Sequence, residues 1–158
     1  MARWILATAL AVMASIAYPS QKPDYSARLH SVLDSVTISL AQQKPEWRHR
    51  VVEPMKGSRN VSVNNWEFED QIVRVDFIAY GSKDAAAEAM RGALKTVKPE
   101  LRLPQLGDGG YSFGQGDSTI CFWKADLCVC VSVTVGISST TQSAMEFAKL
   151  VDAAIAAL

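Results

Sequence analysis

Two stretches constrain the fold most. Val61 to Tyr80 and Ser118 to Val135 each hold two strand-like runs separated by a two-residue turn, and each leads towards a segment of helical periodicity. Runs joined so tightly pair antiparallel, because a parallel return needs a crossover of a dozen or more residues. In the first hairpin the expected tip is Asp70-Gln71, so Phe68 faces Val73, Glu67 faces Arg74 and Trp66 faces Val75. One face then gathers Trp66, Phe68, Val73, Val75 and Phe77, and the other carries the Glu67/Arg74 pair. Asn64-Asn65 breaks the alternation with Val61 and Val63 and reads as a bulge. In the second hairpin a tip at Ala125-Asp126 sets Lys124 opposite Leu127, Trp123 opposite Cys128, Phe122 opposite Val129 and Cys121 opposite Cys130.

Three segments have the three-and-four spacing of amphipathic helices. The first runs from Asp24 to about Gln43 on Tyr25, Leu29, Val32, Leu33, Val36 and Leu40, with Asp24 as N-cap and Pro45 as stop. The second, capped by Ser82, runs from Lys83 to about Val97 on Ala86, Ala89, Met90, Ala93, Leu94 and Val97, with Lys95 and Lys98 complementing its dipole. The third begins near Thr141 and buries Phe147, Val151, Ala154, Ile155 and Leu158, with Ser143 and Glu146 as a capping box. Further strands are expected over Trp47 to Pro54 and Tyr111 to Gln115. The order is helix, three strands, helix, three strands, helix, without residue-level similarity between the halves. Such an order predicts an α+β two-layer sandwich, an antiparallel sheet with helices packed on one face.

The start of the chain sets the compartment. Arg3, an apolar run from Trp4 to Ala14 and the small residues of Ser15-Ile16-Ala17 have the layout of an export signal cleaved before Tyr18. The run is shorter than the ~20 residues a bilayer requires, and a polar segment follows at once, so no stable membrane span is expected after cleavage. Residues 1–17 are therefore read as a signal peptide and 18–158 as a single domain, 158 − 17 = 141 residues, secreted or periplasmic. Losing Arg3 takes the basic count from 16 to 15 against 16 acidic residues, a net charge of about −1. That balance supplies no electrostatic footprint for nucleic acid.

Export also bears on the cysteines. All three, Cys121, Cys128 and Cys130, fall on the last hairpin, and the register makes Cys121–Cys130 a cross-strand bridge at a non-hydrogen-bonded pair. Packed free thiols and a redox pair of Cys128 with Cys130 are the competing readings. The redox pair is disfavoured because neighbours two apart on a strand lie ~6.5 Å apart.

The remaining constellations are weighed by what their chemistry needs. The glycine-rich run Gly107 to Asp117 lacks the spacing of a phosphate loop and leads into strands, so it reads as a connection. Asp108 and Asp117 fall short of the 6–8 oxygens of a calcium site. His30 and His49 have no H-E-x-x-H or C-x-x-C around them, and no serine sits in a G-x-S-x-G elbow. No metal, cofactor or catalytic residue is assigned. Asn60-Val61-Ser62 matches a glycosylation acceptor, a short pattern of high chance frequency that assigns no site. Trp123 shares its sheet face with the cysteines rather than with Phe122 and the valines, so with helices on the valine face it becomes, with Tyr111, the candidate binding residue.

The segment Leu103-Pro104-Gln105-Leu106-Gly107-Asp108-Gly109-Gly110-Tyr111, followed by a hairpin and an alanine-rich helix, resembles small exported bacterial domains with an "LPGLGDEAY"-type segment. The likeness covers the last third of the chain, and Gly109-Gly110 stands where those domains have Glu-Ala. It implies an envelope protein and carries over no catalytic set. The functional expectation is a non-catalytic binding or interaction module of the cell envelope, its partner an envelope or extracellular protein or a small ligand. The alternative is a thiol-dependent enzyme using Cys128 or Cys130.

Overall fold

The computed structural model of the chain describes residues 24–52, 58–114, 118–134 and 144–158. The expected signal segment 1–17, Asp117 and Ser143 lie outside them. Among the described residues the chain forms α1 (Ser26–Gln43), β1 (Arg48–Val52), β2 (Val61–Phe68), β3 (Gln71–Ala79), α2 (Lys83–Ala93), β4 (Leu101–Leu103), β5 (Gly109–Phe113), β6 (Thr119–Lys124), β7 (Leu127–Thr134) and α3 (Ala144–Ala156). The strands make one 7-stranded sheet in the order β1-β2-β3-β7-β6-β5-β4, antiparallel at every pair. Each half contributes a meander, and the two are joined where β3 meets β7. This is the expected α+β architecture.

Alternation assigns each strand residue to a face. One face gathers Trp66, Val73, Val75, Phe77, Ile120, Phe122, Val129 and Val131 against Leu29, Val32, Val36 and Leu40 of α1 and Phe147, Val151, Ala154 and Ile155 of α3. Fully enclosed side chains such as Phe77 and Phe147 each contribute about 1.5–3 kcal/mol by leaving water, which makes this layer the main source of stability. Ser35 of α1 donates to the Ala154 carbonyl of α3 at 2.9 Å, tying the two helices together. Trp47, just ahead of β1, meets Phe147 edge-on with ring centroids 4.9 Å apart.

The expected placement of every helix on one face is corrected here, because the second helix takes the other side of the sheet. Ala86, Met90 and Ala93 of α2 pack with Phe113, Cys121, Cys128 and Cys130, so the two-helix layer is accompanied by one helix over the β6–β7 half of the opposite face. Alternation groups residues by face but does not say which face a helix will choose. The small residues of α2 match a patch built largely of cysteines.

Several local expectations are corrected. The first hairpin turns at Glu69-Asp70, with Glu69 at φ 53°, so Phe68 faces Gln71, Glu67 faces Ile72 and Trp66 faces Val73. A slip of two residues preserves the faces, because the side-chain period is two, but it removes the Glu67/Arg74 pair. Glu67 instead meets Arg50 of β1 at 2.9 Å, and Arg74 meets Asp76 on its own strand. Asn64 and Asn65 keep regular partners on both sides, so no bulge occurs there. Asn64 earns its buried place by accepting from His49 Nε2 at its Oδ1, at 3.0 Å, and donating from Nδ2 to Ser62 at 2.9 Å. The helix α1 begins at Ser26, one residue past an Asp24 cap, and Asp24 accepts the Ser26 amide at 3.0 Å. Ser82 caps α2 through the Ala85 amide at 3.1 Å, but the helix ends at Ala93, which leaves Lys95 and Lys98 beyond its last turn. Leu158 is exposed rather than buried, since α3 ends at Ala156.

Candidate functional site

The second hairpin pairs in the expected register, and Cys121 and Cys130 stand opposite each other with sulfurs at 2.13 Å and Cα atoms at 4.1 Å. The pair lies beneath α2. Cys128, two residues along the same face, is buried against that helix and donates its S–H to the Ala86 carbonyl at 3.3 Å. Burial pushes its thiol up to about 12, so the nucleophilic thiolate is all but absent at neutral pH.

The glycine-rich segment is a brace. Gly107 donates its amide to Asp152 of α3 at 3.0 Å, and Asp108 donates its amide to the Trp123 carbonyl at 2.8 Å. The Asp108 carboxylate accepts the Ala125 amide at 2.9 Å and meets Lys83 at 3.0 Å. Partial burial of Asp108 favours its neutral form, but the Ala125 amide and the charges of Lys83 and Lys124 outweigh it and hold the carboxyl below its usual range. These two amides, which a phosphate loop would turn towards an anion, are already used within the fold. The glycines are required sterically: a Cβ on Gly107, at φ +61°, would lie 2.4 Å from the Trp123 carbonyl oxygen, and one on Gly109 would lie 2.1 Å from the Trp123 ring.

Trp123 and Tyr111 both fall on the face under α2, where they are diagonal neighbours across β5 and β6 with Cys121 beside them. Each is half-buried and packs at the edge of the α2 cluster, and the Trp123 indole lies over Gly109. The open face anticipated around Trp123 is therefore partly filled by α2.

Further along that face, beyond α2, the side chains are charged. Asp76 is buried at 2 % exposure and accepts from Arg74 Nε at 2.9 and 3.0 Å. Burial raises the Asp76 carboxyl above its usual value, with the Arg74 charge pulling the other way. Arg48 and Arg50 on β1 and Ile72 on β3 are exposed, with Glu67 between the arginines. This corner adjoins β1, which among the described residues pairs only with β2 and forms one edge of the sheet.

On the opposite side of the same edge, a groove of about 280 Å³ separates α1 from β1 and β2. Leu29, Leu33, Val51 and Val61 line it together with His30 and Arg59. Neither the edge nor the groove was singled out by the sequence patterns, which mark alternation but not a strand's place in the sheet. His30 borders the groove, whereas His49 packs against Trp66 with ring centroids 4.7 Å apart and bonds Asn64. Among the described residues no cluster of three His, Cys, Asp or Glu side chains is placed to hold a metal ion, and no helix is long and apolar enough to cross a membrane. No family model, curated protein or solved structure matches the chain.

Proposed function

We propose that the protein is an exported, non-catalytic binding module of the cell envelope or extracellular space. The observation that carries this reading is the uneven cover of the sheet. Two helices cover one face and α2 covers half of the other, while the corner bearing Arg48, Arg50, Glu67, Ile72 and Arg74 lies beside a strand edge that has no partner among the described residues. The half-buried Trp123 and Tyr111 supply an aromatic contact at the far side of α2. The export layout of residues 1–17, the Cys121–Cys130 pair and the resemblance of the Leu103–Tyr111 segment to exported bacterial domains support the compartment.

The thiol-enzyme alternative finds little support. Cys130 is engaged with Cys121, and Cys128 is buried with its thiol raised rather than lowered. A catalytic thiol needs the reverse, an electropositive and accessible setting.

The test is expression of the full chain in a bacterial host, followed by mass analysis of periplasmic material and photo-crosslinking from the exposed corner. Expected are an N-terminus at Tyr18, a mass two hydrogens below the fully reduced form, and a discrete crosslinked species. Intact Met1 in the cytosol, or no crosslinked species from any corner position, would sink the reading.

A further inference from the structure

We propose that the β1 edge takes an extended acidic peptide as an eighth strand; this rests on the binding-module reading and names its partner class. Sheet edges carry a row of unpaired N–H and C=O groups, and strand addition is a recurring mode of peptide recognition. β1 spans Arg48–Val52, with Arg48, Arg50 and Val51 exposed.

Side-chain alternation dictates the sequence of the occupant. Arg48 and Arg50 lie on the α2 side of the sheet and flank Glu67, leaving one net positive charge on that trio. Val51 lies on the α1 side, where it lines the groove with Leu29 and Leu33. An antiparallel strand laid on β1 therefore sends the residue opposite Val51 towards the groove and those opposite Arg50 and Arg48 towards the guanidiniums. Read from N- to C-terminus, the preferred order is apolar, acidic, any, acidic. Arg59, which also lines the groove, adds a positive charge there, although it already meets Asp24 at 3.1 Å.

A second copy of the chain fits poorly. Antiparallel self-pairing of β1 about His49 or Arg50 brings arginine against arginine or leaves each unmatched, and like charges directly opposite destabilise a sheet. The same arginines that block self-association thus select a carboxylate-bearing strand.

The test uses the full mature chain and a short fluorescent peptide carrying Leu-Glu-Thr-Glu, read by anisotropy. Expected is saturable binding that weakens several-fold when salt rises from about 50 to about 300 mM, as exposed ion pairs are screened. Binding should fall at least tenfold for a peptide with lysine in place of both glutamates, and at least tenfold for the Arg48→Glu/Arg50→Glu protein. Because those arginines are exposed, the variant keeps its fold, which circular dichroism checks. A peptide of unchanged sequence but N-methylated at alternate residues leaves the protein untouched and removes strand pairing alone; it should also bind at least tenfold more weakly. Equal binding of the N-methylated or lysine peptide overturns the proposal, as does dimerisation lost in the Arg48→Glu/Arg50→Glu protein. Crosslinking from the corner to another partner while the acidic peptide fails would overturn the strand-addition claim and leave the binding-module reading standing.

Discussion

Removing the Cys121–Cys130 bond tests whether it acts by restraining the unfolded chain. The two cysteines are 9 residues apart in sequence, so the bond closes a small loop. The chain-entropy relation gives about 2.6 kcal/mol for a loop of that size, about eighty-fold in the folding equilibrium. For a domain of this length the loss corresponds to roughly 8–10 °C in Tm. Both arms of the experiment carry Cys128→Ala, which prevents exchange with the third thiol and cancels its own cost. The protein is unfolded and refolded with or without reductant and then titrated with urea. Reduction should lower the midpoint and raise the slope m, since the released chain exposes more surface when unfolded. Folded-state spectra should hardly change, because β6 and β7 remain paired from Thr119↔Ser132 to Lys124↔Leu127 without the bond. A loss below about 0.5 kcal/mol with an unchanged m would refute the entropic reasoning.

Glycine-to-alanine changes should have opposite signs at two positions. Gly107→Ala places a Cβ 2.4 Å from the Trp123 carbonyl oxygen at φ +61° and should cost at least about 2 kcal/mol, whereas Gly92→Ala in α2 meets nothing within 4 Å and should gain about 0.5–1 kcal/mol; urea midpoints measure both. For Asp76 the folded carboxyl is raised by burial, so the native state binds its proton more tightly than the unfolded chain does. Its ionised form therefore costs stability at neutral pH, and the cost disappears as pH falls through the folded value and then below the unfolded one. Asp76→Asn should accordingly be most favourable relative to the parent near pH 7, with the difference shrinking in acid; a difference that grows in acid would contradict the burial argument. With its thiol at about 12, Cys128 should resist iodoacetamide in the native protein at pH 7.5 and react readily in urea, as mass spectrometry of the reaction course would show.

Much of the sheet was legible because hairpin tips and alternation are local signals. Leu127 follows Lys124 after two residues, and the whole β6–β7 register, including the cysteine pair, comes from that turn. In the first hairpin, Glu69 adopts a positive φ despite its side chain, so the turn sits one residue earlier than Asp70-Gln71 suggested. The faces survived this shift and the charge pairing did not. The strand Leu101–Leu103 was missed because three residues are too few to show a period, and only pairing with Gly110–Ser112 defines it. The α1 and α3 stripes carried large aliphatic and aromatic side chains that announced a core. The α2 stripe is mostly alanine, which a surface would tolerate equally well, and its choice of the cysteine side depends on tertiary fit. The candidate site was the least legible part. Trp123 and Tyr111 could be assigned to a common face, but an edge strand and an adjoining groove exist only once the strand order is known.

The seam between the meanders has a consequence for biogenesis. β3 finds its second neighbour in β7, with partners running from Ala79↔Leu127 to Ile72↔Thr134, and pairings so distant along the chain form slowly. During synthesis, a half-emerged polypeptide therefore presents the row Val73, Val75 and Phe77 on a strand with one side bare. A chain halted before Thr134 would be adhesive, and completion of the last hairpin is what covers that bare side.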